Sequence, residues 1–289
     1  MKKTAFIVDS SSGIKNNQYQ DVYVLPLIVN INNNGKINSF HDGIDIDDVQ
    51  IAKHLESDNN DVKTSQASAG EIIKLVESVY EEYDRIYVIH IPSKISSSYN
   101  TWKMIEGEYN KIKVLKNNDV SLGTKWTIEH FIELKNKNKL NDEVVEQYLN
   151  EIGSKRFAAL FVYDLKQLKK GGRVSNIKSI VVQLLGLKLT VFLDENGLNF
   201  FGANKSFIKS AQNAIIDFNK RHNNFDIKNL KHFGIVTTPY SKQDSSIMEC
   251  INDMKNKIDK NIKIDEGSIP AVIMSHTGLK AFAFYFEGK

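Results

Sequence analysis

The chain has 289 residues, 41% hydrophobic and 25% charged, with 38 basic and 35 acidic residues for a net charge of +3. That length holds one large or two ordinary globular domains, and the charge is too balanced for a nucleic-acid binder. The single cysteine, Cys250, excludes an internal disulfide framework and fits a reducing compartment, so a cytoplasmic protein without a signal peptide or membrane span is expected.

Short apolar runs alternate with helical patterns, the signature of an α/β fold with a largely parallel sheet. Residues 4–8 (TAFIV) read as a first strand and 22–31 (VYVLPLIVNI) as a second. Asn34 and Gly35 signal a hairpin turn into 36–40. Ser68 and Glu71 form a capping box that opens a helix with Ile72, Leu75, Val76 and Val79 on one face. Residues 85–91 and 111–115 are strands, and helices carry Trp102 and Ile105, then Trp126, Ile128 and Phe131. A helix from Asp142 ends at Gly153, a C-cap candidate, and the domain boundary is placed there: residues 1–153 and 154–289.

Beyond it, 157–163 is a strand, and 187–193 with 198–203 form an antiparallel hairpin through Asn196 and Gly197. Helix is expected over 206–220 and 240–258. Strands are expected over 232–238, 263–269, 271–276 (AVIMSH) and 281–286 (AFAFYF).

Chemistry-bearing motifs are few. The chain has no phosphate-binding P-loop, dinucleotide fingerprint, nucleophile elbow or zinc-protease helix, and its seven histidines have no metal-ligand spacing. No metal and no cofactor are expected. Three hydroxyl-rich turns remain, each past a strand end, where an α/β sheet binds ligands. They are residues 9–12 (DSSS), 64–66 (TSQ) and 96–98 (SSS). Free amide groups at helix starts and neutral hydroxyl donors suit an anion. Without a Lys or Arg in any turn, the cradle favours one carboxylate over a polyphosphate. The plain alternative is that each hydroxyl only caps a helix.

Two further segments stand out. In residues 164–175 (DLKQLKKGGRVS), a helical run with Leu165 and Leu168 on one face stops at Gly171 and Gly172 and delivers Arg173. A glycine pair permits a positive φ and close backbone approach, and a guanidinium suits carboxylate or phosphate. A surface arginine after a helix cap is the other reading. His276, Thr277 and Gly278 close the last turn, where a histidine can hydrogen-bond an anion or serve only as a turn residue.

Taken together these segments resemble the DegV family of lipid-binding proteins. The resemblance is carried by IVDSSSGI at 7–14, LPLIV followed by His41, Asp42 and Gly43, KTSQASAGE at 63–71 and IPSKISSSYNTW at 91–102. It continues through LKQLKKGGRVS, LLGLKLTVFLDENGL at 184–198 and SHTGLKAF at 275–282. It implies a two-domain α/β fold, with a mostly parallel sheet flanked by helices first and a mixed sheet with helices second. A long-chain fatty acid is then expected between the domains. It also implies a non-enzymatic carrier that presents the fatty acid to an ATP-dependent fatty-acid kinase, with transient membrane-surface contact for lipid exchange. By that resemblance Thr64, Ser65, Ser96, Ser97, His276 and Thr277 hold the carboxylate, while Arg173 and His276 serve the partner or phosphoryl transfer. No catalytic residue is implied.

The chain departs from the family pattern at Ala67, Pro92, Ser97, Ser98, Lys116, Asn117 and Leu279. A side chain at Ser97, where the family has glycine, is expected to crowd the headgroup. Phe157, Leu160, Phe161, Val181, Val182, Leu184, Leu185, Phe192 and Phe201 offer apolar wall, or ordinary core. Burying a methylene contributes about 0.8 kcal/mol, so a C16 chain offers on the order of 11 kcal/mol gross, less several kcal/mol of ordering and association cost. A neutral headgroup cradle is then sufficient. The competing reading is a hydrolase of acyl esters with Ser96 as nucleophile and His276 as base.

Overall fold

A computed structural model of the chain describes residues 3–163, 166–175, 186–194, 196–221 and 225–289. The first part runs β1 (Thr4–Asp9), β2 (Val22–Leu25), β3 (Ile28–Asn33), β4 (Lys36–His41), α1 (Asp48–Glu56), β5 (Asn60–Ser65) and α2 (Ala69–Tyr80). It continues with β6 (Arg85–Ile89), α3 (Ser98–Glu108), β7 (Ile112–Val114), α4 (Leu122–Asn136) and α5 (Asp142–Ile152). The second part runs β8 (Arg156–Val162), α6 (Lys166–Gly171), β9 (Val174–Ser175), β10 (Lys188–Asp194), β11 (Gly197–Asn204) and α7 (Phe207–Arg221). It closes with β12 (Leu230–Thr237), α8 (Ser245–Lys257), β13 (Ile264–Ser268), α9 (Ala271–Thr277) and β14 (Ala281–Gly288).

Three sheets result. A four-stranded parallel sheet has the order β2-β1-β6-β7. Its central strand alternates: Ala5 and Ile7 pack with Val76 and Trp102 of α2 and α3, while Phe6 and Val8 pack with Phe131 and Val145 of α4 and α5. Period-two alternation with both faces apolar is what a parallel strand covered on two sides requires. A small antiparallel sheet, β4-β3-β5, extends from it.

A seven-stranded mixed sheet, β13-β12-β14-β8-β10-β11-β9, makes up the rest. In β14, Phe282, Phe284 and Phe286 turn toward α7 and α8, while Ala281, Ala283 and Tyr285 turn toward the first half of the chain. In β8 the same split sends Phe157 and Phe161 to the helices and Ala158 and Leu160 the other way. The large side chains thus fill one face, and small ones on the other leave room between the two halves. Cys250 lies buried on the helix side, its thiol pushed up to about 12 by desolvation.

Two expected strands resolve differently. Residues 22–31 are two strands in two sheets, broken at Pro26, which has no N–H to continue a ladder. Residues 271–276 form α9, not a strand. The β-branched pair Val272 and Ile273 favours strand by local propensity, but a cap supplied from elsewhere in the fold decides the matter. Gly153 follows α5 at φ −60 and ψ −27, a right-handed conformation that does not require glycine.

Candidate functional site

The small-residue face of the mixed sheet, α9 and the loops after β5 and β6 enclose a cavity of about 280 Å³. Its walls are mainly aliphatic, including Leu27, Ile91, Leu160, Leu168, Leu193, Val236 and Ile273. Thr64, Ser65, Ser96, Ser97, Arg173, His276 and Thr277 all line it. Phe157, Phe161 and Phe192 do not, because strand alternation turns them into the opposite core with Phe201 packed against them. Leu165, Val181, Val182, Leu184 and Leu185 lie outside the described residues.

His276 sits on the last turn of α9 and meets Thr64 at the end of β5, Nε2 to Oγ1 at 2.7 Å. Burial, reinforced by the Arg173 guanidinium, pushes its imidazole down to about 4, so it is neutral near pH 7. Its Nδ1 is buried with no hydrogen-bond partner among the described residues. The tautomer sets the roles in this bond: a proton on Nε2 makes it the donor to Thr64 Oγ1 and leaves the Thr64 hydroxyl proton for the cavity, and a proton on Nδ1 makes Nε2 the acceptor from Thr64.

The glycine pair has two separate causes. A Cβ at Gly171 would stand 2.2 Å from His276 Nδ1, so only glycine lets the imidazole pack there. Gly172 instead has φ +66, the left-handed conformation that terminates α6 and turns the chain. Arg173 follows, exposed, with Nη1 donating to the Gly171 carbonyl oxygen. The guanidinium is therefore held at the edge of the cavity beside His276.

Ser96 Oγ accepts from the Ser98 N–H at 3.2 Å, which leaves its own proton available. Its loop is seated against the β10 to β11 hairpin: Gly197, at φ +99, lets the Lys94 side chain approach to 3.0 Å from where a Cβ would lie. Ser97 is exposed at φ −78 and ψ −2 before α3, so serine is accommodated there without backbone strain. Ser65 Oγ accepts from Asn30 Nδ2 at 3.2 Å.

The turn at residues 9–12 is not part of the cavity lining, contrary to expectation. Its polar groups are engaged within the turn and by the backbone at Leu27 and Ile91. Asp9 Oδ1 accepts from the Ser11 N–H and hydroxyl, Asp9 Oδ2 from the Ile91 N–H, Ser12 Oγ donates to the Asp9 carbonyl, and Ser10 Oγ accepts from the Leu27 N–H. Three cavity residues carry little sequence signal. Gln66 donates through Nε2 to Thr101 at 2.9 Å and keeps Oε1 buried without a partner among the described residues. Ser121 lies at φ +50, and Tyr285 is the one bulky residue on the small face of β14. Among the described residues no group of three or more His, Cys, Asp or Glu is placed to hold a metal, and no helix is long and apolar enough to cross a membrane.

Comparison with known proteins agrees with this architecture. The family model described as "Uncharacterised protein, DegV family" matches residues 3–289. A DegV domain-containing protein of Mycoplasma pneumoniae is 31% identical over 293 residues, covering 97% of this chain and 97% of its own. The fold is similar to that of a fatty-acid-binding DegV family protein from Thermus thermophilus, with a TM-score of 0.81 at 21% identity, over 99% of this chain and 100% of that one. It is also similar to the fatty acid kinase B3 protein of Streptococcus pneumoniae, whose structure holds linoleic acid (TM-score 0.77, 16% identity, 99% and 100% covered). With a family match that runs from the first strand to the last and a relative at this identity across both chains, this chain belongs to the DegV family.

Proposed function

We propose that the chain binds a long-chain fatty acid, its acyl chain in the aliphatic cavity and its carboxylate at Thr64, Ser96 and His276. One observation carries the reading: the cavity is walled by aliphatic side chains, yet two hydroxyls, on Thr64 and Ser96, line it, and Ser96 keeps its proton because its oxygen accepts from the Ser98 N–H. A carboxylate offers lone pairs for both, and neutral donors suffice where the acyl chain supplies the affinity. Ser65, Ser97 and Thr277 complete the polar lining. The bound fatty acid of the Streptococcus pneumoniae relative, and the fatty-acid binding of the Thermus thermophilus one, support the same reading.

The protein then acts as a carrier, not an enzyme, and presents the carboxylate to an ATP-dependent kinase. Arg173, exposed beside His276, is suited to an arriving phosphate, and lipid exchange brings transient contact with a membrane surface. Extraction of the purified protein followed by mass spectrometry should recover a fatty acid; a chain that neither carries nor takes one up refutes the proposal. Arg173→Ala should retain lipid and depress acyl-phosphate formation, and Ser96→Ala should reduce that turnover more than lipid occupancy. The hydrolase reading has less support: His276 Nε2 is engaged by Thr64, and among the described residues no carboxylate orients Nδ1. Covalent labelling of Ser96 by a fluorophosphonate would restore it.

A further inference from the structure

The pair Thr64 and His276 joins residues 212 apart in sequence, one at the end of β5 and the other on the last turn of α9. α9 has seven residues, and its N-cap residue is Pro270, whose side chain makes no capping hydrogen bond. The acceptor comes from elsewhere. Asp42 Oδ1 accepts from the Ala271 N–H at 3.1 Å, and Asp42 is only 4% exposed. The Asp42 N–H donates to the Leu27 carbonyl at 2.9 Å, which fixes the carboxylate to the start of β3. A helix rises 1.5 Å per residue, so His276 lies about 8 Å along the axis from this anchor and follows any tilt of it.

The neighbouring residue, His41, reaches the cap of α2, the helix that follows Thr64 in the chain. His41 Nε2 bonds Glu71 Oε1 at 2.8 Å, and His41 Nδ1 bonds Asp45 Oδ2 at 2.7 Å. Glu71 in turn takes the Ser68 N–H and hydroxyl through Oε2, at 2.8 and 2.6 Å, in the capping box of α2. Thr64 and Ser65 are the last residues of β5, paired with Val29 and Ile28 of β3, and the chain runs on from them through Gln66 and Ala67 to that cap. Across β3, His41 and Ser65 both stand opposite Ile28.

We infer that His41 and Asp42 are positioning residues that act as one clamp, tying α2 and its leading loop on one side and α9 on the other, and so set the geometry of Thr64 and His276. The inference rests on the fatty-acid reading above for its functional consequence. It assigns a role to a dipeptide at the end of β4, outside the cavity lining described above.

The test uses the intact chain with palmitate and hexadecanol competing against a fluorescent acyl probe. The acid-over-alcohol preference depends on the headgroup, and a general loss of stability lowers both ligands alike. Asp42→Ala should lower that preference about tenfold while hexadecanol stays within about twofold. Asp42→Asn, whose side-chain carbonyl still accepts from Ala271, should stay within about threefold of the parent. His41→Ala, at a half-exposed side chain, should lower the preference about threefold. Equal losses for both ligands, or an unchanged preference in the alanine variants, would overturn the clamp. Where Asp42→Ala does not fold, His41→Ala and Asp42→Asn decide. Amide hydrogen exchange on ligand-free protein gives an independent arm: faster exchange at 271–277 in Asp42→Ala and at 66–72 in His41→Ala is expected, and no acceleration in either rejects the clamp. A parent chain that takes up neither ligand refutes the fatty-acid reading instead, and exchange then decides the clamp alone.

Discussion

Two hydroxyl-rich regions of similar composition end in opposite states. The turn at Ser10–Ser12 is buried and hydrogen-bonded, with Asp9 holding Ser11 and the Ile91 amide and Ser10 taking the Leu27 N–H. The region around Thr64, Ser96 and His276 lines a cavity, and nearby polar atoms, Gln66 Oε1, His276 Nδ1 and Thr277 Oγ1, are buried without partners among the described residues. The difference is one residue type. A carboxylate inside a turn collects the local donors and builds structure, whereas hydroxyls without one leave donors for a ligand. Serine content alone does not separate the two.

The largest expected effect is at the self-satisfied end. Asp9→Ala leaves the Ile91 N–H and two Ser11 donors without their acceptor and should cost at least about 3 kcal/mol, read as a lowered denaturant midpoint. A loss below about 1 kcal/mol would mean that the turn is not a structural centre.

The pH dependence of His276 comes next. Its folded value of about 4 lies below the ordinary 6.5, so the unfolded chain binds the proton more readily between those values. Stability from this group is complete above about pH 6.5 and is lost as pH falls toward 4, by about 3 kcal/mol. Asp9 and Asp42, raised to about 6 by burial, act in the opposite sense: they gain stability as pH falls over an overlapping window. The measurement is therefore the stability difference between the parent and His276→Asn, followed from pH 7 to 4. A difference independent of pH would place His276 in a solvated environment.

Gly171→Ala probes the cavity end more selectively. The added methyl displaces the imidazole, so fatty-acid affinity should fall about tenfold with a stability loss of about 1 kcal/mol. Unchanged affinity would detach His276 from the headgroup. Ser97→Ala is expected to move stability by less than about 0.5 kcal/mol, because the side chain is exposed and makes no cap bond. A larger loss would bring the residues at 96–98 closer in kind to the turn after β1.

The sequence by itself determined most elements, because they rest on local rules. The short apolar runs of β1 and β14, the capping box at Ser68 and the turn at Asn34 and Gly35 are each legible within a few residues. It also marked Thr64, Ser96, Arg173 and His276, since their motifs are local as well. Tertiary structure alone decided the rest. Residues 271–276 become helix because Asp42, distant in sequence, supplies the cap that Pro270 lacks. Residues 9–12 leave the candidate site because Asp9 reaches the Ile91 amide as well as Ser11. Gly171 is glycine because an imidazole from α9 occupies the space its side chain would need. In each case the deciding partner lies on another element, and only folding determines which donor, acceptor or volume stands opposite a given residue.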